Sequence, residues 1–381
     1  MSFTFREYWI LADRIDFAND NGEHLFRYLQ RERRDIRCKY VLSRGAPQWP
    51  SLRAEFGRDV VSFGSPFWLI SYLRSQVVIT SHLKDRIFPR RRISKLIPGA
   101  PKLVYLGHGV QRGDKSLILS KFPIDMFIAS TASEAEAVAS ASMSHVAHPP
   151  QVVIAGLARW DRLRELSDAS TPQGDAILIA PTWRNGSWMK IPLVSGRHRL
   201  DLEQIVETEW FMSWSNFWNS KQLLELAQFF KRKIVVLVHP AFSDLLALED
   251  PELGQDVEFV SFYDSDVQTL LASGSVLITD YSSIAWDAAL LEIPIIYFHF
   301  ESHVSNGGSK PGYFKYHEHG FGPISSTPKQ LISELNSVAT NGFRMTPEYQ
   351  SKTRATFPLH NRLHREIIVA QIESLVQNGA E

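Results

Sequence analysis

Short apolar, β-branched runs alternate along the chain with stretches whose apolar residues recur at helical spacing. In the first half the strand patterns fall at 8–11, 38–42, 60–63, 76–80, 102–106, 126–129 and 151–155. Helical patterns lie between them. One covers about 23–30, with Leu25, Phe26 and Leu29 on one face, and another covers 65–74. A third runs to about Ala141, with Ser133 as its expected cap and Glu136 completing a capping box. In the second half strands are expected at 176–180, 234–238, 256–260, 276–279 and 294–298. Helices are expected at 221–231, at 266–271, after a cap at Ser282 or Ser283, and from Arg362 to Val376. This alternation predicts doubly wound α/β domains with parallel sheets. The polar, breaker-rich stretch 167–174 marks a linker. The expected domains are therefore residues 1–170 and 171–381, with the last helix packing back on the first domain.

Composition narrows the class. With 41 basic and 41 acidic residues the formal net charge is zero, which gives no general attraction to nucleic acid. A single cysteine, Cys38, excludes an internal disulfide framework and a cysteine-rich zinc site. The first residues lack the basic-then-apolar pattern of a signal peptide, and no apolar run reaches the roughly 20 residues needed to cross a bilayer. A cytoplasmic location is expected. Segment 82–98 interleaves basic residues with Ile, Phe and Leu. Such a segment suits either contact with an anionic membrane surface or a basic loop beside an anionic substrate. Trp210, Trp214 and Trp218 fall on one helix face, fitted either to a core or to a membrane interface.

The candidate chemistry sits where strand patterns end, the usual place for ligands in open α/β sheets. His108 lies between Gly107 and Gly109 after one strand, and His239 directly follows another. Arg184 follows the strand at 176–180 and could hold a phosphate. In Val276–Asp287 a buried strand turns through Asp280 and Tyr281 into Ser282, Ser283 and an apolar helix. Hydroxyls and unpaired N–H groups at a helix start favour an anion. His299, His303, His317 and His319 match no common zinc spacing, so neither metal nor cofactor is expected.

Taken together these motifs resemble the CDP-glycerol glycerophosphotransferase family, the teichoic acid primases and polymerases, which also serve capsule polymer synthesis. The resemblance is carried by Val276–Ser283 through Asp287, by Pro294–Tyr297, by His108-Gly109, by Pro181-Thr182-Trp183-Arg184, by His239-Pro240 and by Gly156–Leu163, in order from about residue 75 to 325. The sequence departs from the family pattern at Gly107, Val110, Asn185 and in 357–362. The resemblance implies a GT-B-like architecture of two Rossmann-like domains facing a central cleft, the second binding the donor nucleotide. It implies His108 as general base and His239 as a catalytic contact to the donor phosphate. Arg184, Ser282 and Ser283 would hold the donor phosphates, Asp280 would stand among the donor-binding residues, and Asp287 would lie near the ribose.

The expected reaction is transfer of glycerol phosphate, or a related alditol phosphate, from a CDP-activated donor to a hydroxyl of a lipid-linked glycan or polymer. It would take place at the inner face of the cell membrane, with peripheral contact to anionic lipid. A histidine, with a reference pKa of ~6.5, suits base catalysis near neutrality. Two other readings fit the same residues. One is a GT-B glycosyltransferase using a nucleotide sugar. The other is a non-catalytic scaffold that binds nucleotide or lipid-linked glycan. The short length, without a further N-terminal module, favours a single catalytic unit.

Overall fold

The computed structural model describes residues 7–83, 100–112, 121–140, 150–170, 174–182, 184, 189–192, 198–200, 202–238, 257–262, 265–300, 312–357, 359 and 363–377. The chain divides into two compact units. One comprises Met1–Asp161 with Phe357–Glu381, and the other comprises Arg162–Thr356.

The first unit carries seven described strands: β1 Tyr8–Ala12, β2 Cys38–Leu42, β3 Val60–Ser62, β4 Ser75–Thr80, β5 Lys102–Tyr105, β6 Met126–Ala129 and β7 Gln151–Ile154. They form one sheet in the order β3-β2-β1-β4-β5-β6-β7, and every pairing is parallel. Its helices are α1 Asn21–Glu32, α2 Trp49–Phe56, α3 Pro66–Leu73, α4 Ala132–Ala139 and the start of α5 Arg159–Asp168. Both sheet faces are covered, which is why the strands read as nearly continuous apolar runs. Trp9 and Leu11 of β1 join Leu25, Phe26 and Leu29 of α1 in one core cluster. Ile10 and Ala12, pointing the other way, join Val78, Tyr105 and Phe127 in a second.

The second unit holds β8 Ala176–Ala180, β9 Met189–Pro192, β10 His198–Leu200, β11 Lys233–Val238, β12 Val257–Ser261, β13 Gly274–Thr279, β14 Ile295–Phe298 and β15 Ile324–Ser325. Six of these make a parallel sheet in the order β12-β11-β8-β13-β14-β15, and β9 pairs with β10 as an antiparallel ribbon. Its helices are α6 Leu202–Val206, α7 Glu209–Trp218, α8 Lys221–Phe230, α9 Val267–Ala272, α10 Ile284–Leu290, α11 Tyr316–His319, α12 Pro328–Thr340 and α13 Pro347–Thr356. The chain then returns to the first unit as α14 His364–Gln377, whose Ile368, Val369 and Ile372 enter the cluster under α1.

Three local readings are settled or refined. The unit boundary falls inside α5, after Asp161, and that helix ends at Asp168, at the start of the polar stretch 167–174. The cap of α4 is Thr131, not Ser133. Thr131 Oγ1 accepts from Glu134 N at 3.2 Å, and the Glu134 carboxylate turns back to accept from Ser130 N and Gln111 N, both at 2.6 Å. The tryptophan stripe of α7 is core, not an interface with lipid. All three indoles are buried, Trp214 meets Phe298 edge-on at 5.2 Å, and Trp218 meets Phe259 at 5.6 Å. Of the basic segment 82–98, residues 84–98 lie outside the described residues.

Candidate active site

In the first unit four neighbouring strands deliver polar side chains at their carboxyl ends. Asp13 follows β1, Ser81 and His82 follow β4, Gly107 and His108 lie just beyond β5, and Ser130 follows β6. The loop after β1 ends at Asp20, the N-cap of α1, whose side chain accepts from Asn21 N at 2.8 Å. Asp13 takes the next two helical N–H groups, Gly22 N at 2.8 Å and Glu23 N at 2.9 Å, and also the Tyr40 hydroxyl at 2.9 Å. The positive end of α1 is thus filled by the protein's own carboxylates. Gly22 is required there, because a Cβ would stand 2.6 Å from Asp13 Oδ1.

Asp20 gathers the site. Its Oδ2 bonds His82 Nε2 at 3.0 Å and also His108 Nδ1, while Oδ1 receives Arg159 Nη1 at 3.3 Å. Arg159 Nη1 also donates to the His108 carbonyl at 2.8 Å. Asn21 closes the frame, donating to Gly107 O at 3.0 Å and accepting from Arg159 N at 3.1 Å. Gly107 has φ +71°, a left-handed turn that presents His108 beyond the strand. The two imidazoles lie 4.4 Å apart, and the His108 side chain is 62% exposed.

The charges follow from this packing. The Asp20 charge raises the His108 pKa above its ordinary value. Burial lowers that of His82, and the Asp20 bond only partly offsets this. Burial alone would raise Asp20, but the His108 charge and the bonds from both histidines hold it well below the usual carboxylate range. Asp13, buried beside the charge of Asp20, is pushed up to about 7. Two carboxylates side by side therefore take different states, one ionised and one readily protonated near neutrality.

In the second unit the carboxyl ends of β8, β13 and β14, adjacent in the sheet, supply Thr182, Asp280 and His299. Asp280 is fully buried. Its Oδ1 accepts from Thr182 N at 2.8 Å and Tyr281 N at 2.7 Å, and its Oδ2 meets Arg184 Nη2 at 2.8 Å. Arg184 also donates to Thr182 O at 2.9 Å and lies over the Tyr281 ring at 5.3 Å. His299 stacks on Tyr281 at 4.2 Å and its Nε2 bonds Asp280 O at 3.1 Å. Trp210 Nε1 fixes the Thr182 carbonyl at 3.0 Å.

Among the residues expected from sequence, Arg184 and Asp280 are joined directly, and Ser282, Ser283 and Asp287 follow in the same turn and helix. Ser283 occupies the N-cap of α10 but makes no side-chain capping bond, and Ser282 Oγ accepts from Ile284 N at 3.4 Å. Asp287 is buried in the first turn of α10. His239 follows β11 directly but lies outside the described residues. Asp20, His82, Arg159 and His299 were not singled out as site residues. His82 had the same signal as His108, a histidine at a strand's carboxyl end. Ligand-type atoms of Asp20, His82 and His108 lie within 4.8 Å of one another. Because both rings already bond the carboxylate, a divalent ion would enter only by breaking those two bonds.

The chain is 24% identical to the minor teichoic acid biosynthesis protein GgaB of Bacillus subtilis (strain 168) over 379 residues, 99% of this chain and 41% of that protein. It is 26% identical over 181 residues to a teichoic acid poly(glycerol phosphate) polymerase of Staphylococcus epidermidis, 48% of this chain and 22% of that protein. The chain thus spans less than half the length of these curated relatives. The solved structure of the wall teichoic acid polymerase TagF superposes with a TM-score of 0.67 at 17% identity, over 99% of this chain and 90% of that one. A UDP-GlcNAc 2-epimerase from Neisseria meningitidis superposes at 0.55 and 11% identity, over 96% and 100%. These likenesses establish the GT-B-like fold of two parallel-sheet units. The family model for CDP-glycerol:poly(glycerophosphate) glycerophosphotransferases matches residues 8–374, and the chain belongs to that family.

Proposed function

We propose that this protein transfers glycerol phosphate, or a related alditol phosphate, from a CDP-activated donor to a hydroxyl of a growing, lipid-linked polymer. The observation that carries the reading is His108, partly exposed, with Nδ1 held on a buried carboxylate so that Nε2 is the nitrogen able to take a proton. The acceptor oxygen attacks the phosphorus that bears glycerol. The bond from that phosphorus to the CMP oxygen breaks, the acceptor proton passes to His108 Nε2, and CMP leaves with the bonding pair. Arg184, Ser282, Ser283 and His239 hold the donor diphosphate and stabilise charge as CMP departs. Asp280 acts on the donor through Arg184, which it anchors. Asp287 is assigned to the ribose. Family membership and the TagF variant soaked with CDPG support the donor class.

The same reading places the protein in the cytoplasm, peripheral to the inner membrane face. No helix among the described residues is long and apolar enough to cross a membrane. The exposed face of α3, with Phe67 at 75%, Ile70 at 51% and Leu73 at 44%, and the basic sequence 82–98 support contact with anionic lipid. Absence of binding to anionic vesicles at low salt would remove the membrane part.

The deciding assay is a donor screen by mass spectrometry with CDP-glycerol, CDP-ribitol and common nucleotide sugars. CMP release from a CDP-alditol, lost in His108→Ala, is the expected result. Selective turnover of a nucleotide sugar would overturn the assignment in favour of glycosyl transfer.

A further inference from the structure

We propose that Asp20 and His82 are positioning residues for His108: Asp20 fixes the Nδ1–H tautomer of its ring, and His82, donating to the same carboxylate oxygen, keeps that oxygen aimed. This deepens, and rests on, the reading of His108 as the base.

A neutral imidazole carries one N–H, and the partner of one nitrogen decides which nitrogen can accept a proton. Asp20, ionised, only accepts, so His108 must present Nδ1–H to it and keep the lone pair on Nε2. The same logic makes His82 an Nε2–H donor. Asp20 cannot swing away from either ring. Its own position is set by the N-cap bond to Asn21 N and by Arg159 on Oδ1. Both imidazoles share one oxygen of a carboxylate that is itself held, so His108 Nδ1 has a fixed partner. The charged and titratable groups facing the pair are Asp20 ahead of α1, Asp13 and Arg14 after β1, and Arg159 at the start of α5. When His108 takes the acceptor proton, Asp20 is already in place to stabilise the imidazolium. His82, whose burial favours the neutral ring, adds no second positive charge 4.4 Å away.

The test compares the full chain with His108→Ala, Asp20→Asn, His82→Ala and His82→Gln, using CDP-glycerol and an alkyl glycerol phosphate acceptor. Asn caps a helix as well as Asp, so Asp20→Asn preserves the start of α1. It is expected to lower kcat roughly 10²-fold or more with an unchanged KM for CDP-glycerol. It should also move the acidic limb of the pH profile to lower pH, because the carboxylate charge is gone. His82→Ala should lower kcat roughly tenfold, the size of one lost hydrogen bond. His82→Gln, which replaces the Nε2–H donor, should restore it. If His108→Ala abolishes turnover while Asp20→Asn and His82→Ala keep the wild-type kcat and acidic limb, the positioning roles are refuted and the base stands. If His108→Ala itself keeps turnover, the base and its positioning residues fall together. Should a variant fail to fold, ¹⁵N spectra of the wild-type imidazoles decide: neutral His108 with its proton on Nδ1 supports the proposal, and a proton on Nε2 overturns it.

Discussion

Asp280→Asn removes one charge from the second unit while preserving shape. Asn keeps an acceptor for the N–H groups of Thr182 and Tyr281, which lie 2.8 and 2.7 Å from Asp280 Oδ1. Its amide then faces Arg184 Nη2, 2.8 Å from the present Oδ2, and two donors oppose each other. Arg184, with its side chain only 10% exposed, loses the Asp280 carboxylate. Breaking a buried pair from one side typically costs about 3–5 kcal/mol. For a unit of this size each kcal/mol lowers Tm by roughly 2–4 °C, so a fall of about 6–20 °C is expected. Differential scanning calorimetry measures the fall, and calorimetric titration with CDP-glycerol checks the loss of donor affinity that the proposed donor contact of Arg184 predicts. Combining Asp280→Asn with Arg184→Met should cost less than the sum of the single changes, because the two side chains are in direct contact and the second removes the cation that opposes the new amide. A melting point within about 2 °C of wild type, or strict additivity in the double variant, would refute the view that this pair holds the loop.

Other consequences are as definite. Because Asp20 raises the His108 pKa above its ordinary 6.5, and the proposed base would work deprotonated, log kcat should climb with pH through an inflection above that value; an inflection below it contradicts the electrostatics. Gly22→Ala forces a Cβ to 2.6 Å from Asp13 Oδ1 and 2.9 Å from the Ala12 carbonyl. Urea unfolding should show a loss of about 1–3 kcal/mol, with kcat falling as Asp20 shifts. Trp214→Ala empties a fully buried site against Phe298 and should cost about 3–5 kcal/mol by the same measurement, whereas changing the exposed Met212 on the same helix should cost under about 0.5 kcal/mol.

What sequence revealed of the site follows from how local each signal is. The turn after β13 was legible because strand, Asp280, Ser282 and helix are consecutive. His108 was legible because two glycines mark a turn at a strand's end. Asp20 was not legible, because its meaning depends on His82 and His108, 62 and 88 residues away. Strand order brings these three together, and periodicity does not report strand order. Arg159 is further still, 139 residues from Asp20. The α4 cap was misplaced for the opposite reason. Ser133 and Glu136 satisfy the same local rule as Thr131 and Glu134, and only the bonds of Glu134 to Ser130 and Gln111 choose between them. The tryptophan stripe was ambiguous because its spacing fixes a shared face and not what covers that face.

The return of α14 to the first unit affects how the molecule is made. His364 N and Arg365 N bond the two oxygens of Asp161 at 2.9 and 2.8 Å, and Ile368, Val369 and Ile372 complete the packing beneath α1. On a ribosome the segment 162–356 emerges whole and can close its own core before α14 is translated. The first unit must wait, its sheet formed but one flank bare, until α14 leaves the exit tunnel. Folding of the first unit is therefore tied to the synthesis of α14, and a chain stalled or clipped before His364 would carry a closed second unit and an unsealed first one.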